Sequence, residues 1–219
     1  VLWNANARMF IHAYEATHVF YIYAALVAAV GLISYGAEVS FKRLAMAGAC
    51  GVVATFSFGP GIVVFPTILC LLVLRRAKIA QIAQTALLTA AVFVAYSYLL
   101  PGADGVRGSS SGFSALSAAK FVALRFGAYW LELLAGSWPI AEPMRLLTAS
   151  GSVLVIALSC QSVVRRWLRR EEFSRSTLFA VGLAAFGIVT NAVIAVNRVS
   201  HFQANPGDVL AERYLIWSA

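Results

Sequence analysis

Charge is scarce in this sequence. Aspartate, glutamate, lysine and arginine make up 12% of its 219 residues, against roughly 25% in an ordinary soluble domain. Two stretches, residues 79–100 and 176–197, carry no charged side chain at all. Catalytic signatures are equally sparse. The chain has no Gly-x-x-x-x-Gly-Lys phosphate loop and no Cys-x-x-Cys pair, and its one Gly-x-Ser-x-Gly string, residues 108–112, falls in a Gly/Ser-rich loop and not at the strand-to-helix turn of a nucleophile elbow. Cysteine is rare, and Cys50, Cys70 and Cys160 all fall in apolar segments. Thiols so placed behave as small apolar groups, so no disulfide framework is expected.

What fills the chain instead is apolar. Hydrophobic residues reach 61% and mean hydropathy is +0.80. Runs of about 20 apolar residues are what an α-helix needs to cross a ~30 Å hydrocarbon core. An all-α, polytopic transmembrane helix bundle follows, a single membrane domain over residues 1–219. Spans are predicted at 17–35, 44–58, 61–74, 79–100, 144–164 and 176–196, with a further span starting at 214–219. A Gly/Ser-rich loop runs over 102–112. The chain begins at Val1 without a basic leader and ends inside an apolar run at Ala219, which reads as a fragment of a longer protein.

Net charge is +8. In a soluble protein that excess would point to nucleic acid, but here it sits at the ends of apolar runs and instead sets orientation, and no nucleic-acid partner is expected. With the clusters at 42–43, 75–78 and 165–175 on the cytoplasmic side, ten Lys/Arg face three acids there; seven Lys/Arg and six acids remain for the outer side. Such a bias sets the orientation, with those clusters on the cytoplasmic side of the membrane.

Two segments break the pattern. Residues 117–138 hold Lys120, Arg125 and Glu132, each costly at bilayer depth. Phe121, Leu124 and Tyr129 supply an apolar face, so an amphipathic helix on the outer surface is predicted, with a crossing helix containing ion pairs as the alternative. Residues 44–74 would be roughly 46 Å long as one helix, too long for the core. Gly59-Pro60-Gly61 sits at the middle, where proline removes a donor and disfavours α geometry in the preceding residue. Two short helices joined there would return both basic flanks to one side; a single Pro-kinked helix is the alternative.

Several of these features carry a resemblance. They are the aromatic and polar stretch Trp3-Asn4 to Glu15 before a span, and the broken pair around Phe56 to Gly61 and Phe65-Pro66 with Arg75-Arg76 behind it. To these are added Asn197-Arg198, a short external loop, and Glu212-Arg213-Tyr214. This arrangement resembles the C-terminal part of the transmembrane region in bacterial proteins similar to GT-C glycosyltransferases. The resemblance implies a cell-envelope enzyme that moves a sugar from a polyprenyl-phosphate carrier at the outer face of the membrane. It also implies that the catalytic acid stands on a first external loop, which no stretch of this chain matches.

On the predicted outer side, Arg198, His201, Asp208, Glu212 and Arg213 share one loop. Two guanidinium forks there suit a lipid-linked phosphate, with His201, Tyr214 and Glu15 as candidate substrate contacts. The plainer reading has helix-end arginines reaching ordinary lipid phosphates. His12, Glu15 and His18 lie within an arc of about 120° on a helix, a weak spacing for a divalent metal ion. Thr190, Asn191 and Asn197 form a polar group near a span end that suits interhelical hydrogen bonds. A membrane transporter or flippase is the alternative function, since transporters also use Gly/Pro-broken helices.

Overall fold

A computed structural model of the protein describes residues 13–35, 38–57, 59–99, 117, 119–124 and 142–197. These residues form an all-α structure. Its elements are α1 (Ala13–Ser34), α2 (Phe41–Ser57), a 3-10 helix (Gly59–Val63), α3 (Val64–Leu74), α4 (Ile79–Leu99), α5 (Glu142–Leu168) and α6 (Arg175–Asn197). Four segments are long and apolar enough to cross a membrane: Thr17–Ser34, Ile79–Leu99, Leu147–Leu168 and Arg175–Ile194. The protein is a multi-pass membrane protein whose apolar helices meet lipid.

The chain divides into two compact units, one of residues 14–106 with 172–189 and the other of residues 1–13, 107–171 and 190–219. The first holds the helix broken at glycine and proline. Gly51 of α2 faces the ring of Phe65 on α3, and Gly61 lies on the main chain of Ala54 and Thr55. Residues equally distant from position 58 are therefore neighbours, so the segment is a hairpin of two antiparallel limbs and not one kinked helix. Each limb is roughly 25 Å long, a little short of a ~30 Å hydrocarbon core. Pro60 fits because a 3-10 turn replaces α geometry there, and Pro66 falls in the first turn of α3, where its missing N–H has no acceptor in the helix.

Pairings set the direction of the remaining helices in this unit. Gly48 meets Leu88 and Phe56 meets Tyr96, so α2 and α4 run parallel. Tyr23 packs on Phe186, Val30 on Gly182 and Tyr35 on Phe179, so α1 and α6 run antiparallel. Ile22, Leu26, Val30 and Ile33 form the buried stripe of α1, and Phe65, Ile68, Leu71 and Leu72 that of α3. Lipid tails are as apolar as leucine, so association between such helices relies on close van der Waals fit, which small residues permit. Glycine marks the tightest points: a Cβ on Gly182 would come within 2.7 Å of Val30, and one on Gly48 within 2.8 Å of Leu88. By contrast α4 buries only Thr85 and Val92 among its side chains and turns Leu87, Phe93, Tyr98 and Leu99 outward.

In the second unit α5 is almost wholly outward-facing, with Leu147, Leu154, Val155 and Leu158 exposed and Ala149 and Ser152 buried. It continues a turn past the apolar run, through Arg165 and Arg166. Residues 119–124 are helical, with Phe121 buried and Lys120 exposed; the rest of the predicted surface helix at 117–138, apart from residue 117, lies outside the described residues. Thr190 and Asn191 are buried as expected for polar groups inside a bundle, but the Thr190 hydroxyl has no hydrogen-bond partner among the described residues.

Candidate functional site

Most residues singled out by sequence lie outside the described residues. These include Arg198, His201, Asp208, Glu212, Arg213, Tyr214 and His12. Glu15 contributes described backbone to α1 but no described side chain, and His18 is half-buried on the same helix. The phosphate pair and the metal trio are thus neither assembled nor separated. Among the described residues no group of three or more His, Cys, Asp and Glu could hold a metal ion.

The hairpin turn is a candidate because irregular backbone at membrane depth needs protein or water around it. Its polar side chains close on their own helices. Thr55 Oγ1 donates to Gly51 O at 2.8 Å, Ser57 Oγ to Val53 O at 2.7 Å and Thr67 Oγ1 to Val63 O at 3.0 Å. Each hydroxyl uses its proton on the carbonyl one turn back, the usual membrane solution for a hydroxyl in an apolar helix. Near the turn, the Tyr96 hydroxyl approaches Gly59, where a Cβ would stand 3.1 Å from it, and the Tyr96 ring packs on Phe56 with centroids 6.1 Å apart. The turn is a packed joint, lined by aromatic rings.

Chemistry of another kind collects at the opposite end of this unit. Arg75, the C-cap of α3, donates from Nη1 to the carbonyl of Ile33 at the end of α1. Arg43 donates from Nη1 to Glu38 O at 3.2 Å, and Gln81 of α4 donates to the carbonyl of Val39. Tyr35 and Phe179, with ring centroids 5.7 Å apart, bring the start of α6 to the same end. The described charged side chains of the unit all gather there: Lys42, Arg43, Arg75, Arg76, Lys78 and Arg175 against Glu38 and Glu172. Burial pulls the Arg75 guanidinium down from its ordinary value, and the charges of Arg43 and Arg175 pull it further. Arg43 and Arg175 thus each act on Arg75 as like charges. Sequence reasoning counted these residues only as orientation signals; no local pattern announces that Arg75 caps a helix forty residues earlier.

A third feature lies at the end of α5 in the other unit. Leu158, Gln161, Ser162, Arg165, Arg166, Arg169 and Glu171 line a surface groove of about 320 Å³. Arg166 Nε and Glu171 Oε2 pair at 3.2 Å, both substantially exposed, a geometry that contributes little to stability in water.

Both basic helix ends share one construction. Arg76 N–H bonds Val73 O at 3.0 Å and Ala77 N–H bonds Leu72 O at 2.9 Å, with Arg76 at φ 52°. Arg170 N–H bonds Trp167 O at 3.1 Å and Glu171 N–H bonds Arg166 O at 3.0 Å, with Arg170 at φ 60°. These are Schellman closures, whose left-handed position glycine usually takes. Here arginine occupies it twice. Among the described residues the chemistry on offer is anion binding by guanidinium groups. No family model, curated protein or solved structure matches the chain.

Proposed function

We propose that this chain is the helical scaffold of a GT-C-like glycosyltransferase, handling a polyprenyl-phosphate-linked sugar at the outer face of a bacterial cytoplasmic membrane. The observation that carries the reading is the hairpin of residues 41–74 with its break at Gly59-Pro60-Gly61, one of the features on which the resemblance rests. The gathering of basic side chains at the opposite end of that unit supports an orientation with clusters 42–43 and 75–78 in the cytoplasm. In this reading Arg198 and Arg213 hold the carrier's phosphate at the outer interface, with His201, Tyr214 and Glu15 beside the sugar. The resemblance implies a catalytic acid on a first external loop, which no stretch of this chain matches.

A transporter or flippase is the second reading, favoured by the same broken helix. Against it, the hydroxyls flanking the break are satisfied within their own helices, and no Asp, Glu, Lys or Arg stands at mid-depth in the described spans. Coupling-ion and proton paths usually need such groups. The test is sugar transfer from a radiolabelled polyprenyl-phosphate donor by the full-length protein in proteoliposomes. Arg198→Ala and Arg213→Ala should each abolish transfer with membrane insertion unchanged. Wild-type transfer by both variants would overturn the pocket, and donor scrambling across the bilayer without transfer would favour the flippase.

A further inference from the structure

The last turns of α5 carry a cluster that the transferase reading does not use. Gln161, Ser162, Arg165 and Arg169 line the groove of about 320 Å³ at the end of that helix. Four side chains at this spacing fall within an arc of about 100°, so the helix itself sets the two guanidiniums on one face, one turn apart. All four side chains are exposed, and none has a hydrogen bond or ion pair among the described residues. Earlier in the same helix, the Thr148 and Ser152 hydroxyls each donate to the carbonyl one turn back; that of Ser162 does not. The groove's one acid, Glu171, is already engaged by Arg166 at 3.2 Å. The carbonyls of Arg165, Arg166 and Trp167 accept from the N–H groups of Arg169, Glu171 and Arg170. Donors and positive charge thus outnumber the acceptors that the groove supplies.

We propose that this groove seats the phosphate of an anionic phospholipid headgroup, held by Arg165 and Arg169 with Gln161 and Ser162 as neutral donors beside it. The site is independent of the transferase reading.

The donor set selects the phosphate and the helix selects the lipid. A guanidinium presents a planar fork that matches a pair of phosphate oxygens, and hydroxyl and amide donors complete the shell of an anion. Three arginines against one acid favour a headgroup with net negative charge over one that carries a choline, and juxtamembrane clusters of Lys and Arg attract anionic lipid. The same face of α5 continues away from the groove as Leu158, Leu154 and Leu147, all exposed. Between the last two, Gly151 leaves a notch, with nothing within 4 Å of the place a Cβ would take. An acyl chain lies along such a stripe while its phosphate meets the arginines; a free anion has no use for it. Trp167 stands in the same turn as Arg165 and Arg169, the placement of an indole at headgroup level.

The experiment uses the full-length protein in a neutral detergent, incubated with equal amounts of phosphatidylglycerol and phosphatidylcholine and read by native mass spectrometry. The wild type should retain phosphatidylglycerol in preference, and Arg165→Gln/Arg169→Gln should reduce that preference by roughly tenfold. Neither side chain has a partner to lose, so the unfolding temperature of this variant should match the wild type. Arg165→Lys/Arg169→Lys keeps the charge but not the fork and should fall between the two; wild-type preference there would overturn the guanidinium seat. Lys42→Gln/Lys78→Gln removes equal charge from the other unit and should leave the preference intact. An unchanged preference in Arg165→Gln/Arg169→Gln overturns the proposal, as does an equal loss in the Lys42/Lys78 pair. Millimolar inorganic phosphate distinguishes the source. Retention of the lipid supports the proposal, whereas full displacement would make this a free-phosphate site and overturn the lipid assignment.

Discussion

Gly61 lies against the carbonyl of Ala54 so closely that a single added methyl group would overlap it. Seven positions apart in sequence, the two residues face each other because the chain has reversed between them. The hairpin depends on this contact. Gly61→Ala forces main chain from main chain, and backbone cannot move aside as a side-chain tip can. We expect a loss of about 3 kcal/mol, the upper part of the range for overpacking, read as thermal unfolding of the detergent-solubilised protein. Gly31→Ala is the comparison. Nothing lies within 4 Å of a Cβ there, so that variant should be neutral or stabilising by up to ~1 kcal/mol.

A hairpin and a kinked crossing helix make opposite statements about sidedness. With Cys50, Cys70 and Cys160 replaced by alanine, single cysteines at Ser40, Lys78 and Ser174 should all react with a membrane-impermeant maleimide from the same face. A single crossing helix over residues 44–74 would put positions 40 and 78 on opposite faces. Labelling intact cells before and after permeabilisation distinguishes the two.

The left-handed arginines give a prediction of opposite sign to the usual effect of glycine in a helix. Arg76 stands at φ 52°, a conformation that costs an L-residue roughly 1–2 kcal/mol, while glycine gives back ~0.5–1 kcal/mol in chain entropy. Arg76→Gly should therefore stabilise by about 0.5 kcal/mol, as the balance of those two terms. Arg76→Val should destabilise by ~1 kcal/mol or more, because a branched side chain tolerates that region worst. Denaturant midpoints measured on the pair give the sign directly.

Much of the architecture was legible in the sequence, for a physical reason. Uncharged runs such as 79–100 and 176–197 state a solvent preference that no local context overrides, and they emerge as α4 and α6 within a residue or two. The break at Gly59-Pro60-Gly61 was legible too, because proline's missing donor and glycine's missing Cβ act locally. What could not be read was which helix each break or cap would meet. Gly61 against Ala54 is a tertiary fact, and so is Arg75 closing α1. A count of positive charges assigns a side but is silent on the three-dimensional cluster those charges form. The candidate site fared differently: Arg198 and Arg213 lie outside the described residues, so the motif-based reading stands as the proposal made above.

The hairpin also constrains how the protein is made. Each limb ends in a basic cluster at the same end of the unit and, at roughly 25 Å, falls short of a ~30 Å hydrocarbon core, so neither is well suited to cross the bilayer alone. While α2 alone has left the ribosome, its face at Gly51 and Ala54 has no partner. Only when synthesis has passed Leu74 can α3 fold back and cover it. Insertion of this region is therefore a single two-limbed event, and a pause in translation between the limbs would strand an incomplete pair at the translocon.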